Sequence, residues 1–178
     1  MKSFLIKLFL INTALFFVIS LIFSSNEVVA AEDYHNSVFF GMSGNRNLSV
    51  GHNEFSIMAG YDRHIEATPE LSVGVLVEGV FSSHSYLVLG VPVGFYFVEN
   101  MKFWAAPCFV YAGGGKTYSN VDEIEYFKTK NQFMFKFGTG YSFHFANPRF
   151  TALPFVEGSV IHTEFILGLG VKLNMFFN

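Results

Sequence analysis

Hydrophobic and polar residues exchange places at every second position over most of this chain, the period of a strand with one apolar face and not that of a helix. From Asn131 to Phe145 one parity reads Phe133, Phe135, Phe137, Thr139, Tyr141, Phe143 and Phe145, and the other reads Gln132, Met134, Lys136, Gly138, Gly140, Ser142 and His144. The last stretch sets Phe165, Leu167, Leu169, Val171, Leu173, Met175 and Phe177 against Glu164, Ile166, Gly168, Gly170, Lys172, Asn174 and Phe176. Earlier, Phe55, Ile57, Ala59 and Tyr61 oppose Ser56, Met58, Gly60 and Asp62, while Val73, Val75, Val77 and Phe81 oppose Ser72, Gly74, Leu76 and Glu78. Another segment sets Leu87, Leu89, Val91, Val93, Phe95 and Phe97 against Val88, Gly90, Pro92, Gly94 and Tyr96. Weaker alternation at 36 to 43, 102 to 112 and 150 to 161 completes a set of eight segments, the last two carrying Pro107 and Pro154. Proline removes a ladder donor, so both are expected near rims or bulges.

The connections also alternate. ATPE at 67 to 70, VENMK at 98 to 102 and ANPR at 146 to 149 are short turns. Between them fall GNRNLSVGHN at 44 to 53, SSHS at 82 to 85, the stretch from Gly113 to Lys130 and a corner at His162. Four connections on one side and three on the other predict an all-β, eight-stranded, antiparallel up-and-down transmembrane β-barrel with both termini on the short-turn side. The segments are near the roughly 9–11 residues that a tilted strand needs to cross a bilayer. Aromatic residues gather at both ends, as interfacial girdles do: Phe95, Phe97, Phe103, Tyr141, Phe143 and Phe177 at one, Phe81, Tyr86, Tyr111, Phe133 and Phe165 at the other. A soluble barrel would put its larger apolar face inside. Here the inward parity carries Gly, Ser, Lys and Glu, which suits a narrow lumen filled by side chains.

Composition agrees with an apolar surrounding. The chain is 51% hydrophobic and 19% aromatic, with 24 Phe, and only 14% of it is charged, where soluble domains average about 25%. Lys2 and Lys7 flank the run LFLINTALFFVISLIF at 8 to 23; polarity returns at Ser24, and Val28 and Ala30 place small residues before a cut. These features predict a cleaved signal peptide over residues 1–30 and a barrel domain over 31–178; the competing arrangement is a retained anchor. Removing Lys2, Lys7 and Glu27 with the presequence takes the net charge from −3 to −4, which offers no polybasic surface for nucleic acid. The single Cys108 forms no internal disulfide, and no Cys/His cluster has zinc spacing, so no cofactor or metal is expected.

On these residues the chain resembles the small eight-stranded outer-membrane barrels, the class of the OmpA transmembrane domain and OmpX, over its whole length after the export segment. The most specific part is the last strand, where Gly170, Leu173, Met175, Phe176 and Phe177 resemble the C-terminal assembly signal, with Asn178 after the aromatic where the family usually ends on it. The resemblance implies the Gram-negative outer membrane, contact with its lipids and lipopolysaccharide, and delivery by the barrel assembly machinery.

The inward charges Asp62, Glu78, Lys136, Glu164 and Lys172, with Glu157 and Lys102 on weaker segments, are expected to pair into a lumen network, because each unpaired charge would cost several kcal/mol. Such a network plugs the barrel; the functional alternative is a gated pore or proton path. His84 among Ser82, Ser83 and Ser85, and His162 near Ser159 and Glu164, offer the residue types of a hydrolytic centre. Neither reproduces the His-x-Ser-Asn pattern of outer-membrane deacylases, so no catalytic residue is assigned; His35, His52 and His64 have still less context. GGGK at 113 to 116 lacks the rest of a phosphate-binding loop. The mixed sequence YSNVDEIEYFKTK that follows makes the 113–130 loop the place for an extracellular partner, since loops on rigid barrels carry binding. Three functions are therefore in view: a structural or surface-interaction barrel first, a small-solute barrel of OmpW type with Met58, Leu76, Met134 and Ile166 in the lumen second, and a lipid A-modifying enzyme last.

Overall fold

Strands in lipid must satisfy every backbone donor and acceptor with a neighbour, and only a closed ring of strands leaves no free edge. The computed structural model describes residues 34–82, 85–98, 100–112 and 132–178 and closes that ring. Its elements are β1 (Asn36–Asn47), β2 (Asn53–Ile65), β3 (Thr68–Phe81), β4 (Tyr86–Gly90), β5 (Val93–Val98), β6 (Met101–Ala112), β7 (Gln132–Tyr141), β8 (Phe143–His144), β9 (Phe150–Ile161) and β10 (Glu164–Phe177). β4 and β5 are halves of one wall strand between β3 and β6, and β7 with β8 makes another, so the wall has eight staves. All pairings are antiparallel, and β10 returns to β1 over a register running from Asn36↔Phe177 to Asn47↔Ile166. That pairing brings both ends of the described chain to one rim, with the turns at 66–67 and 146–149; the connection from Ala112 to Gln132 leaves and re-enters at the other. The predicted signal peptide, and the 113–130 loop with its GGGK, lie outside the described residues.

The period of two is kept around the wall. Outward positions such as Phe40, Val75, Val77, Phe109, Phe133, Phe135, Leu169 and Leu173 are exposed, while Met58, Leu76, Glu78, Val88, Lys136 and Leu153 are buried inside. Apolar side chains outside and charges inside is an order that water would invert, and it is stable where lipid surrounds the wall.

The structure departs from the sequence expectation in four places. Tyr86 is inside, not in an outer girdle: it shares its parity with Val88, and its hydroxyl donates to Glu54 at 2.9 Å. β1 runs on to Asn47 and β2 begins at Asn53, so the 44–53 loop shrinks to residues 48–52, because Asn45 and Asn47 find side-chain partners at the mouth. The fourth stave breaks at Val91 and Pro92, with Gly74 N–H donating to the Pro92 carbonyl and Pro92 having no N–H to return. Pro107 and Pro154 instead sit within unbroken β6 and β9, and the Pro107 carbonyl accepts from Val91 N–H. At the β9–β10 corner His162 takes a φ of 50°, in the left-handed region where His is tolerated better than bulkier residues.

Candidate functional site

The lumen is built in layers that can be followed along the strands. At the rim opposite the termini, Glu54 accepts from Tyr86, and Glu164, half-buried, accepts from Asn47 Nδ2 at 2.6 Å. A neutral polar ladder lies beside them: Ser43 and Ser56 hydroxyls are 2.7 Å apart, Ser43 donates to Asn45 Oδ1 at 3.0 Å, and Asn45 donates to Ser56 at 3.4 Å. Next comes an apolar cluster containing Val80, Val88, Cys108, Val110, Met134, Ile161 and Ile166.

The central layer is ionic. Lys136 ion-pairs with Glu78 and, at 3.0 Å, with Glu157; the three side chains are 0–4% exposed. Glu78 stands on β3 between Leu76 and Val80, and Glu157 on β9 between Phe155 and Ile161, so apolar clusters lie on both sides of the charges. The second cluster holds Phe39, Met58, Leu76, Trp104, Leu153 and Phe155. Beyond it, toward the termini, Lys102 ion-pairs with Asp62 at 2.6 Å. His64 follows, its Nδ1 3.0 Å from the Pro69 carbonyl and its ring stacked on Tyr96 at 5.7 Å.

Of the charges singled out in the sequence, the structure brings Glu78 and Lys136 together, adds Glu157 to them, and joins Asp62 to Lys102. Glu164 is apart, at the mouth with Asn47. Lys172 meets no carboxylate within ion-pair distance among the described residues; its Nζ lies 4.1 Å from the Trp104 ring centre, 4.8 Å from Phe155 and 5.3 Å from Phe39. Such contacts favour a cation. The pattern of charges does not reveal this aromatic cage; Phe39 and Phe155 occupy the buried parity of their strands, and that is the signal that identifies them.

The assembly-signal residues divide by parity. Phe176 is buried, with its ring 6.2 Å from His64 and 6.5 Å from Tyr34; Phe177 is half-buried, 6.4 Å from Tyr61; Leu173 and Met175 are exposed outward. For the hydrolytic grouping, His162 is exposed in its turn, while Ser159 is buried and paired in register with Lys136. His84 and Ser83 are outside the described residues. Among the described residues no group of three or more His, Cys, Asp or Glu is placed to hold a metal.

No protein-family model matches the chain, and no curated protein matches it by sequence. Solved structures do. The chain is similar to Neisserial surface protein A, at a TM-score of 0.56 and 13% identity over 80% of this chain and 97% of that one. It is similar to the N-terminal β-barrel domain of Pseudomonas aeruginosa OprF, at 0.53 and 15% over 80% and 100% of the two chains. A de novo designed transmembrane β-barrel gives 0.51 and 14% over 78% and 95%. At these identities the likeness is one of fold: the chain has the architecture of the small eight-stranded outer-membrane barrels.

Proposed function

We propose that this chain is an outer-membrane barrel with a sealed lumen that acts at its surface, as a structural element of the envelope and as a rigid mount for the connections at the rim opposite its termini. The observation that carries the reading is the Glu78–Lys136–Glu157 layer lying between two apolar clusters, which places ion-paired side chains across the centre of the lumen. With the interior occupied, contact with other molecules falls to the outer wall, where lipid and lipopolysaccharide lie, and to the rim, where the 113–130 loop is the largest connection. Export through the 1–30 segment and delivery by the barrel assembly machinery belong to the same reading.

Two measurements test it. The refolded chain in a planar bilayer is expected to give no steady conductance; discrete openings would replace the sealed lumen with the small-solute channel that Met58, Leu76, Met134 and Ile166 would line. Replacing 113–130 with a short Gly/Ser linker is expected to leave a folded, membrane-inserted barrel and to abolish surface attachment of expressing cells; unchanged attachment would refute the loop's role. Lipid A mass spectra from expressing cells are expected to be unaltered, and loss or gain of an acyl chain would favour the enzyme instead.

A further inference from the structure

We propose that the lumen cavity beside Lys172 is a binding site for a small monovalent inorganic anion of chloride or bromide size. The cavity is about 20 Å³, room for one or two water-sized occupants, and Phe39, Asp62, Lys102, Trp104, Lys136 and Lys172 are among the side chains that line it. Three ammonium groups and one carboxylate therefore face the same small space. Asp62 is held by Lys102 at 2.6 Å, and Lys136 is held by Glu78 and Glu157, neither of which lines the cavity. Lys172, whose charge offsets the second carboxylate of the Lys136 layer, is the one of the three with no carboxylate within ion-pair distance among the described residues. It is 8% exposed, and among the described residues its ammonium has aromatic faces for partners and no carboxylate or carbonyl.

An ammonium carries three N–H donors. Ring faces stabilise its charge but do not satisfy three directed donors, so the ammonium takes an acceptor only from the side on which it lines the cavity. The cavity is the open side of Lys172, and an anion there accepts from it while lying close to Lys102. Attraction between opposite charges is also stronger at this depth than in bulk water.

The surrounding sequence keeps the space clear. Gly41 pairs with Lys172 across β1 and β10, and a Cβ at Gly41 would meet Lys172 Cγ at 2.9 Å and the Val171 carbonyl at 2.8 Å. At Gly94 a Cβ would stand 2.6 Å from Lys102 Cε. Both lysines thus run through room that only glycine leaves. The site depends on the barrel fold alone and not on the surface role proposed above.

The chain has one tryptophan, Trp104, and it lines the cavity, so its fluorescence reports directly on a heavy ion bound there. The mature chain is refolded in detergent with sodium bromide or iodide, with caesium chloride and with acrylamide, at matched ionic strength. Halide quenching that saturates and at least halves Trp104 emission, with none from caesium, is the expected result. In Lys172→Met the saturable part disappears while the folded band on a gel persists. Quenching that is linear in halide, equal for caesium, or unchanged in Lys172→Met would overturn the proposal. Should Lys172→Met fail to fold, crystals of the unaltered protein grown in bromide decide the matter: an anomalous peak within hydrogen-bond distance of Lys172 Nζ supports the site, and its absence refutes it.

Discussion

Replacing Lys136 with methionine removes the only cation that Glu78 and Glu157 are paired with among the described residues, and leaves two carboxylates, 0% and 4% exposed, in the centre of the lumen. Methionine fills nearly the same volume, so the loss is one of charge and not of packing. Breaking a buried ion pair by deleting one partner costs about 3–5 kcal/mol, which is roughly two to nearly four decades in the folding equilibrium. Here the cost falls on two acids at once, and the Glu78 Oε1 atom already has no hydrogen-bond partner, so the upper part of that range is expected. Converting all three residues to methionine removes the charges together and is expected to return stability to within about 2 kcal/mol of the starting protein, because an intact buried network adds little over well-packed apolar side chains. Urea unfolding of the refolded protein in lipid vesicles at pH 8, followed by Trp104 emission and by the heat-shifted gel band, reads both variants. A Lys136→Met cost below about 1 kcal/mol, or a triple variant as unstable as the single one, would refute the reasoning about the ionic layer.

Two further predictions concern the outer wall and the last strand. Val77→Arg puts a guanidinium on an exposed, outward position in the middle of β3 and is expected to cost about 2–4 kcal/mol in the same vesicle assay, whereas Tyr111→Arg, near the end of β6, should cost at most about 1 kcal/mol. Equal costs at the two positions would contradict the placement of the lipid band. Phe176→Ala empties a buried site against His64 and Tyr34 and is expected to lose about 3–5 kcal/mol in purified refolding, while the half-buried Phe177→Ala should refold nearly normally and, on the proposed delivery by the barrel assembly machinery, fail mainly in cells. Normal insertion of Phe177→Ala in cells would remove Phe177 from the assembly signal.

The wall was legible because its physics is local: parity alone separates Phe133, Phe135 and Phe137 from Met134 and Lys136, and it does so without any knowledge of which strands meet. The lumen depends on register, and register is not written in one strand. Lys136 and Glu78 are 58 residues apart and meet across the barrel, and Glu157 and Lys102 stand on segments whose alternation is weak. Lys172 reads like any other inward charge, yet its surroundings are set by Phe39, Trp104 and Phe155 from three different strands. Proline was legible in type but not in consequence. Pro107 and Pro154 are accommodated within their strands, while Pro92, on the inward parity of an otherwise regular segment, ends one. Tyr86 was misplaced because an aromatic near a strand end suggests a girdle, while its parity with Val88 points inward.

The barrel is inverted, with lipid outside and a filled lumen within, and spin labels along β3 test that most directly. In a Cys108→Ala background, single cysteines at positions 73, 75 and 77 and at positions 72, 74 and 76 would be labelled in the refolded protein in lipid vesicles. Alternation is predicted: labels at Val73, Val75 and Val77 are mobile and relaxed by oxygen dissolved in the bilayer, and labels at Ser72, Gly74 and Leu76 are immobile and shielded from it or prevent folding. Oxygen accessibility without a period of two, or relaxation of the 73, 75 and 77 labels by a water-soluble nickel chelate and not by oxygen, would contradict it.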